Sequence, residues 1–312
     1  MRRRFFASVI AALGMGALAL AQDPVDPAQG KPPDQPQFKS ESELVVLSLQ
    51  VTDHGRYVPG LSKEAFRLYD EDRPQTPKLF LNEDAPVTIG LVIDSSGSMS
   101  RARERVIASS TEFVKSSNPE DDIFAIVFND EVQRALGDGS FTKDAIVLGG
   151  ALARAFQPIG RTALYDAVIE GLDYASRGNQ DRRVLVVVSD GGDNASKATL
   201  RDVVSRVQSS NTLIYTVAIS DPNDQESNPG KLKELAAISG GQSFEPNTLP
   251  EIHEVFQRIS RDIRNMYTIG FEPMNVAYHA GFHKLRVDVR MPDGRKLNVR
   301  ARPGYLKAHV GP

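Results

Sequence analysis

The hydrophobic rhythm of the chain changes twice. From Leu44 onward Val45, Leu47, Leu49 and Val51 alternate with Val46, Ser48 and Gln50, the period of a strand with one buried face. Asp53-His54-Gly55-Arg56 reads as a turn, and residues 66–70 and 79–81 as further strands. No long helical period occurs before Pro86. Beyond it, strand and helix alternate. Residues 87–94 form an apolar, β-prone run, and a helix is predicted over 101–117 with Val106, Ile107, Ser110, Phe113 and Val114 on one face. Asn118-Pro119 ends it. Strands at 123–128 and 131–136, joined by Asn129-Asp130, predict an antiparallel pair. Helices follow at 142–156 and 163–176, then the most strongly apolar strand, 184–188, a helix at 199–208, a strand at 213–219 and a short helix at 232–238. The last helix opens on Thr248-Leu249-Pro250-Glu251, a capping-box pattern, and aligns Ile252, Val255, Phe256, Ile259 and Ile263. Past Asn265 the pattern returns to strands at 267–271, 282–290 and 296–302, the last two joined by Pro292-Asp293-Gly294.

Repeated alternation of strand and helix predicts a doubly wound, mostly parallel α/β sheet of Rossmann type, with helices on both faces. The β segments at the two ends are too thin to stand alone. They are predicted to pair into one small β-sandwich, in which the α/β domain is inserted. The expected boundaries are 41–85 and 266–308 for the two parts of the sandwich and 86–265 for the insert.

Composition adds a compartment. The 312 residues are 40% hydrophobic and 25% charged, an ordinary globular balance. Residues 1–21 read as a signal peptide: Arg2-Arg3-Arg4, an apolar stretch over 5–20, and Ala19-Leu20-Ala21 as a small-x-small cleavage site. A retained anchor is the other reading of that stretch. Residues 22–40, rich in Pro, Asp and Gln, are expected to be a disordered linker. Secretion to the periplasm or beyond, with no membrane span after cleavage, is the expectation. Of 37 Lys and Arg against 40 Asp and Glu, three arginines lie in the leader, so the mature chain carries a net charge of −6 and is a poor nucleic-acid binder. With no cysteine, a disulfide framework, a zinc-thiolate site and a lipobox are excluded.

The candidate chemistry sits where strands end. Residues 87–94 run into Asp94-Ser95-Ser96-Gly97-Ser98-Met99, where the oxygens of Asp94, Ser96 and Ser98 could converge at the carboxyl end of a parallel strand, the place where open α/β sheets bind ligands. Hard oxygen donors without sulfur or imidazole suit Mg²⁺ or a similar cation. In Gly160-Arg161-Thr162-Ala163-Leu164, Thr162 stands near a helix start, as an N-cap or as a ligand. The strand 184–188 ends in Ser189-Asp190-Gly191-Gly192-Asp193-Asn194, placing Asp190 directly after a buried strand. Taken singly, each has a plainer reading: Ser96 and Ser98 as turn residues, Thr162 and Asp190 as caps, Asp166 on a helix face and Asp193 in a turn.

Taken together, Asp94-x-Ser96-x-Ser98, Thr162 and Asp190 resemble the metal-ion-dependent adhesion site of von Willebrand factor type A domains, over roughly 87–264. The flanks, with Thr162-Ala163-Leu164-Tyr165-Asp166-Ala167 and Arg300-Ala301-Arg302-Pro303-Gly304-Tyr305, resemble the bacterial secreted von Willebrand factor A-related proteins. The resemblance implies that Ser96, Ser98 and Thr162 coordinate Mg²⁺ (or Mn²⁺ or Ca²⁺) directly, with Asp94 and Asp190 acting through water. It also implies a position left for an Asp or Glu carboxylate of a protein partner. Met99, Arg161 and Gly191 are expected at the rim of the site, contacting that partner.

Other features point less far. Of the five histidines only His279 and His283 have i, i+4 spacing, but Gly281 and the β pattern argue against a helix, so His54, His253, His279, His283 and His309 read as surface or strand residues. Asp221, Asp224 and Glu226 match no Ca²⁺ loop, and Arg286, Arg290, Arg295 and Arg300 are expected on a solvated face. A phosphoryl-accepting Asp94 would need an acid two residues on, where Ser96 stands, and no Gly-x-Ser-x-Gly elbow occurs. The expectation is a non-enzymatic, cation-dependent adhesion module. The alternatives are a structural protein whose site only stabilises the fold and, last, a metal-dependent phosphohydrolase.

Overall fold

The computed structural model of the chain describes residues 44–82, 84–138, 141–220, 225–273 and 280–307. The expected leader and linker, Asp221, Asp224, His279 and His309 lie outside them. The amino-terminal β region contributes β1 (Val45–Asp53), β2 (Arg56–Tyr57), β3 (Phe66–Asp70), β4 (Arg73–Gln75) and β5 (Leu79–Leu81). The α/β region runs β6 (Val87–Asp94), α1 (Arg103–Lys115), β7 (Asp122–Phe128), β8 (Val132–Arg134), α2 (Ala145–Ala155), α3 (Leu164–Ala175), β9 (Arg182–Ser189), α4 (Leu200–Ser209), β10 (Thr212–Ala218), α5 (Pro229–Ser239), β11 (Ser243–Phe244) and α6 (Glu251–Arg264). The chain closes with β12 (Tyr267–Phe271), β13 (Gly281–Val289), β14 (Asn298–Arg300) and β15 (Gly304–Lys307).

The central sheet has the order β11-β10-β9-β6-β7-β8, parallel throughout except that β8 returns antiparallel to β7 across the predicted tight turn. Every residue of β6 and β10 is buried, which explains why these strands read as unbroken apolar runs rather than alternations. Ile89, Leu91, Ile93, Val184, Val186 and Val188 face a core completed by α1, α2 and α6. Val92, Leu185 and Val187 face the other, completed by α3, α4 and α5. Gly90 lies on that second face, where a Cβ would sit 2.3 Å from the Phe124 ring, so only glycine fits.

Helix ends moved where capping chemistry overrides periodicity. A 3-10 turn over Gly97–Arg101 precedes α1, so that helix begins later than predicted. Asp144 caps α2, its Oδ1 accepting from the Ile146 N–H at 2.7 Å. Helix α5 is longer than expected, starting on Pro229 and ending at Gly240 with φ +85°. The capping box predicted at Thr248 is not formed. Pro250 holds the cap position, and Glu251 accepts instead from the Asn247 N–H and the Thr248 hydroxyl. A complete box closes α4, between Thr199 and Asp202.

The strands of the two chain ends pair with one another. β1 lies antiparallel to β12, with Leu47 opposite Ile269, in a sheet ordered β14-β1-β12-β5. A second sheet is ordered β15-β13-β3-β4. Residues from both ends, including Leu49, Phe66, Leu68, Phe271, Leu285 and Val289, share one apolar cluster. The predicted strand over 296–302 shortens to β14 in the first sheet, and after Pro303 the chain enters the second as β15, a strand beyond the predicted range.

Arginines join these sheets to the α/β region. Arg182, 1% exposed, donates Nε to the Thr268 hydroxyl at 2.7 Å. Arg264 pairs with Asp121 and with Asp84, each at 2.8 Å. Arg302 donates to the Ser210 carbonyl at 2.8 Å, at the carboxyl end of α4, where the helix dipole favours a cation. Arg300 corrects an expectation: it is not on a solvated face but pairs with Asp262 of α6 at 2.9 Å and bonds Gln50 and Gln242. Arg286 and Arg295 do lie half-exposed, beside Tyr69 and Asp53. His283 is a strand residue but a buried one, its ring stacked on Tyr305 and its Nδ1 3.4 Å from Asp70.

Candidate metal centre

The strand order reverses between β6 and β9, so the loops leaving these adjacent strands diverge and open a crevice. Asp94, the last residue of β6, is fully buried. Its Oδ1 accepts from the Ser96 N–H at 2.8 Å, an Asx-type turn that bends the chain sharply off the strand. Its Oδ2 accepts from the Ser189 hydroxyl of β9 at 2.6 Å, and Ser189 Oγ in turn accepts from the Gly191 N–H at 3.0 Å. The two strand ends are thereby fixed to each other.

Over this base the hydroxyls and the second carboxylate close together. Ser98 Oγ donates to Asp190 Oδ2 at 2.6 Å and lies 3.1 Å from Ser96 Oγ. Asp190 Oδ1 accepts from the Gly192 N–H at 2.8 Å. A third loop joins through its backbone. The Gly97 N–H reaches the Gly160 carbonyl at 3.4 Å, the Thr162 N–H donates to Asn194 Oδ1 at 2.9 Å, and the Thr162 carbonyl accepts from the N–H groups of Asn194 and Ala195. Thr162 is buried but does not cap α3. The first N–H groups of that helix go to Asp193 Oδ1 and Ser196 Oγ, which gives Asp193 the structural role expected of it and leaves the Thr162 hydroxyl out of the capping. Asp166 is structural too, accepting from the N–H groups of Lys197 and Ala198, both at 2.9 Å.

Burial pushes the pKa of Asp94 up to about 6, the Ser189 and Ser96 hydrogen bonds offset part of this, and the neighbouring Asp190 charge adds to it. Added positive charge beside these two carboxylates would lower that pKa again. The side-chain oxygens brought together here, from the carboxylates of Asp94 and Asp190 and the hydroxyls of Ser96 and Ser98, are hard donors of the kind that suits a divalent cation and not a soft one, whereas Thr162 joins them through its backbone. Among the described residues no group of three or more His, Cys, Asp or Glu is placed to hold a metal, so a site here depends on the hydroxyls.

Of the three expected rim residues, two are corrected. Met99 is 1% exposed and packs in the core beneath α1, because the 3-10 turn rotates its apolar side chain inward. Gly191 is buried with φ +84°, and a Cβ would meet the Asn228 carbonyl at 2.2 Å, so it serves the turn and not a contact surface. Arg161 is exposed, held by Asp130 through Nε at 2.9 Å and through its own N–H at 2.9 Å. Two positioning residues escaped the sequence reading, Ser189 and Asn194. Ser189 left a signal, a hydroxyl at the end of an otherwise apolar buried strand; Asn194 left none beyond its place in a polar loop.

The family model of the von Willebrand factor type A domain matches residues 88–258, and the chain belongs to that family. Domains of this family commonly mediate protein–protein interaction, are generally not enzymes and often bind a divalent metal. Similar solved structures include a von Willebrand factor type A protein from Catenulispora acidiphila, at 11% identity and TM-score 0.51, covering 82% of this chain and 75% of that one. The von Willebrand factor domain of the type V pili tip protein Mfa5 from Porphyromonas gingivalis is 17% identical at TM-score 0.49, covering 58% of this chain and 95% of that one. The PilB minor pilin from Streptococcus sanguinis is 10% identical at TM-score 0.48, covering 59% and 63%. No curated protein matches the chain. Among the described residues no helix is long and apolar enough to cross a membrane.

Proposed function

We propose that this chain is a secreted, non-enzymatic adhesion module that binds a protein partner through a divalent cation held at Asp94, Ser96, Ser98, Thr162 and Asp190. The observation that carries the reading is the Ser98–Asp190 bond, which draws the loops after β6 and β9 to one oxygen-lined point. Ser96, Ser98 and Thr162 hold the ion by their hydroxyls, while Asp94 and Asp190 supply compensating charge and keep the hydroxyls aimed. When bound, Mg²⁺, Mn²⁺ or Ca²⁺ supplies an under-neutralised Lewis-acid centre with room for an Asp or Glu carboxylate of the partner. Arg161 stands beside it as a fixed, exposed donor. In the same reading the two flanking sheets form one sandwich with 86–265 inserted, residues 1–21 are removed on export, and 22–40 tether the domain.

The test is calorimetric titration of Mg²⁺ and Mn²⁺ into EDTA-treated protein. Saturable heat is expected for the natural chain, none for Asp94→Ala and a weakened signal for Thr162→Ala. Absence of heat in the natural chain would end the reading. A second reading has one observation of its own: at 2.6 Å the Ser98 hydroxyl and Asp190 already satisfy each other. In that case the residues tie loops together, and a cation changes melting temperature without any partner capture.

A further inference from the structure

We infer that Glu226, in the connection between β10 and α5, is a positioning residue for this centre: acting through Asn194, it fixes the backbone of Thr162 and so the aim of the Thr162 hydroxyl toward the cation. The inference rests on the cation reading above. The other four site residues hold one another or are held by a neighbouring strand end. Ser96 lies against Ser98, Ser98 bonds Asp190, and Asp94 bonds Ser189. The Thr162 hydroxyl makes no hydrogen bond among the described residues, although the residue is only 6% exposed. A β-branched side chain has few rotamers on a given backbone, so the backbone of residue 162 sets the direction of that hydroxyl.

Asn194 grips this backbone on both sides of the Cα. Its Oδ1 accepts from the Thr162 N–H at 2.9 Å, and its own N–H donates to the Thr162 carbonyl at 3.0 Å. A carboxamide can turn either its oxygen or its NH₂ toward a neighbour, and only the oxygen serves an N–H. Glu226 decides which. Its Oε2 accepts from Asn194 Nδ2, and an ionised carboxylate has no proton to offer an amide oxygen, so the amide is held with Oδ1 on Thr162. The same stretch also reaches the second carboxylate. The Ser227 hydroxyl and the Asn228 N–H both donate to the Asp190 carbonyl, at 3.2 Å and 3.0 Å. Residues 226–228 thereby tie the loop after β9 to the loop before α3. Mg²⁺ demands near-ideal octahedral geometry, whereas Ca²⁺ accepts a flexible one, so a loosened Thr162 costs Mg²⁺ more than Ca²⁺.

The experiment is calorimetric titration of Mg²⁺ and of Ca²⁺ into the EDTA-treated whole protein. The chains compared are the natural one, Glu226→Ala, Glu226→Gln, Thr162→Ala and Thr162→Ala/Glu226→Ala. Glu226→Ala is expected to weaken Mg²⁺ binding by about tenfold or more, the usual effect of losing a group that orients a ligand, and Ca²⁺ binding by less. Glu226→Gln, which keeps an acceptor for Asn194 Nδ2 but no charge, recovers most of the affinity. Once Thr162 is alanine, Glu226→Ala has no further effect. Glu226 is exposed, so its variants are expected to melt in EDTA as the natural chain does. Equal losses in Glu226→Ala and Glu226→Gln would show that Glu226 acts only by its charge, and would overturn the positioning role. A further loss in the Thr162→Ala background, or undiminished Mg²⁺ binding by Glu226→Ala, would overturn it too. In these cases saturable heat in the natural chain leaves the cation reading standing, whereas no heat in the natural chain ends both.

Discussion

Burial, with the neighbouring Asp190 charge adding to it, holds the pKa of Asp94 at about 6. An unfolded aspartate titrates near 3.9, so the group contributes stability that is fully present below about pH 4 and lost as the pH rises through about 6. The difference corresponds to about 3 kcal/mol. In EDTA, Asp94→Asn is therefore expected to resist urea better than the natural chain at pH 7, by about 1–3 kcal/mol, with the gap closing toward pH 4. The same variant loses Mg²⁺ binding. A stability gap that does not change with pH would contradict the account. Gly191→Ala fails for steric reasons, since φ +84° and a Cβ at 2.2 Å from the Asn228 carbonyl act together. A loss of about 2 kcal/mol or more in thermal unfolding is expected. At this scale the sequence marks several of the polar residues that the structure brings together. Asp94, Ser96, Ser98 and Asp190 carry a visible polar signal at the ends of apolar strands, whereas Met99 misled because local pattern does not say which way a 3-10 turn rotates a side chain.

Elements were legible where one face is buried and blurred where capping decides. The apolar runs of β6 and β9 and the stripe of Ile252, Phe256, Ile259 and Ile263 on α6 could be read directly. Helix starts could not, because Asp144 and the Thr199–Asp202 box compete with other Ser, Thr and Asp residues equally able to cap. The Thr199 box is exposed and takes no part in the Ser98–Asp190 contact, so Thr199→Ala isolates its worth. A loss of about 1 kcal/mol in urea unfolding, with Mg²⁺ heat unaltered, is expected. No loss would mean that α4 is held by packing of Val203 and Val207 alone.

The whole molecule turns on contacts between distant parts of the chain. β1 pairs with β12, so strands that precede and follow the α/β region lie side by side at its boundary. The boundary is polar: Asp262 is 1% exposed and its partner Arg300 about one-third exposed. Burial raises the Asp262 pKa while Arg300 draws it back. Arg300→Ala leaves that carboxylate without its cation, and a loss of about 2–3 kcal/mol is expected, below the full cost of a buried pair because Arg300 is partly solvated. Calorimetry should show one transition for the natural chain, and a lower or divided one for the variant. An unchanged transition would mean that the other contacts, among them Arg182 with Thr268 and Arg302 with Ser210, suffice to join the parts.

What the sequence alone determined is local in origin. The alternation of strand and helix follows from side-chain period, and the oxygen-bearing residues stand out because polar groups directly after buried strands are costly unless used. Three matters were decided only by the tertiary structure. Strand order sets β6 beside β9 and so brings Ser98 to Asp190. Pairing of the chain ends divides residues 296–307 between two sheets. Burial turns Arg300 from a presumed surface charge into a bridge to α6. Each depends on contacts between residues far apart in the chain, whose energies come from mutual burial and pairing, and no local period records them.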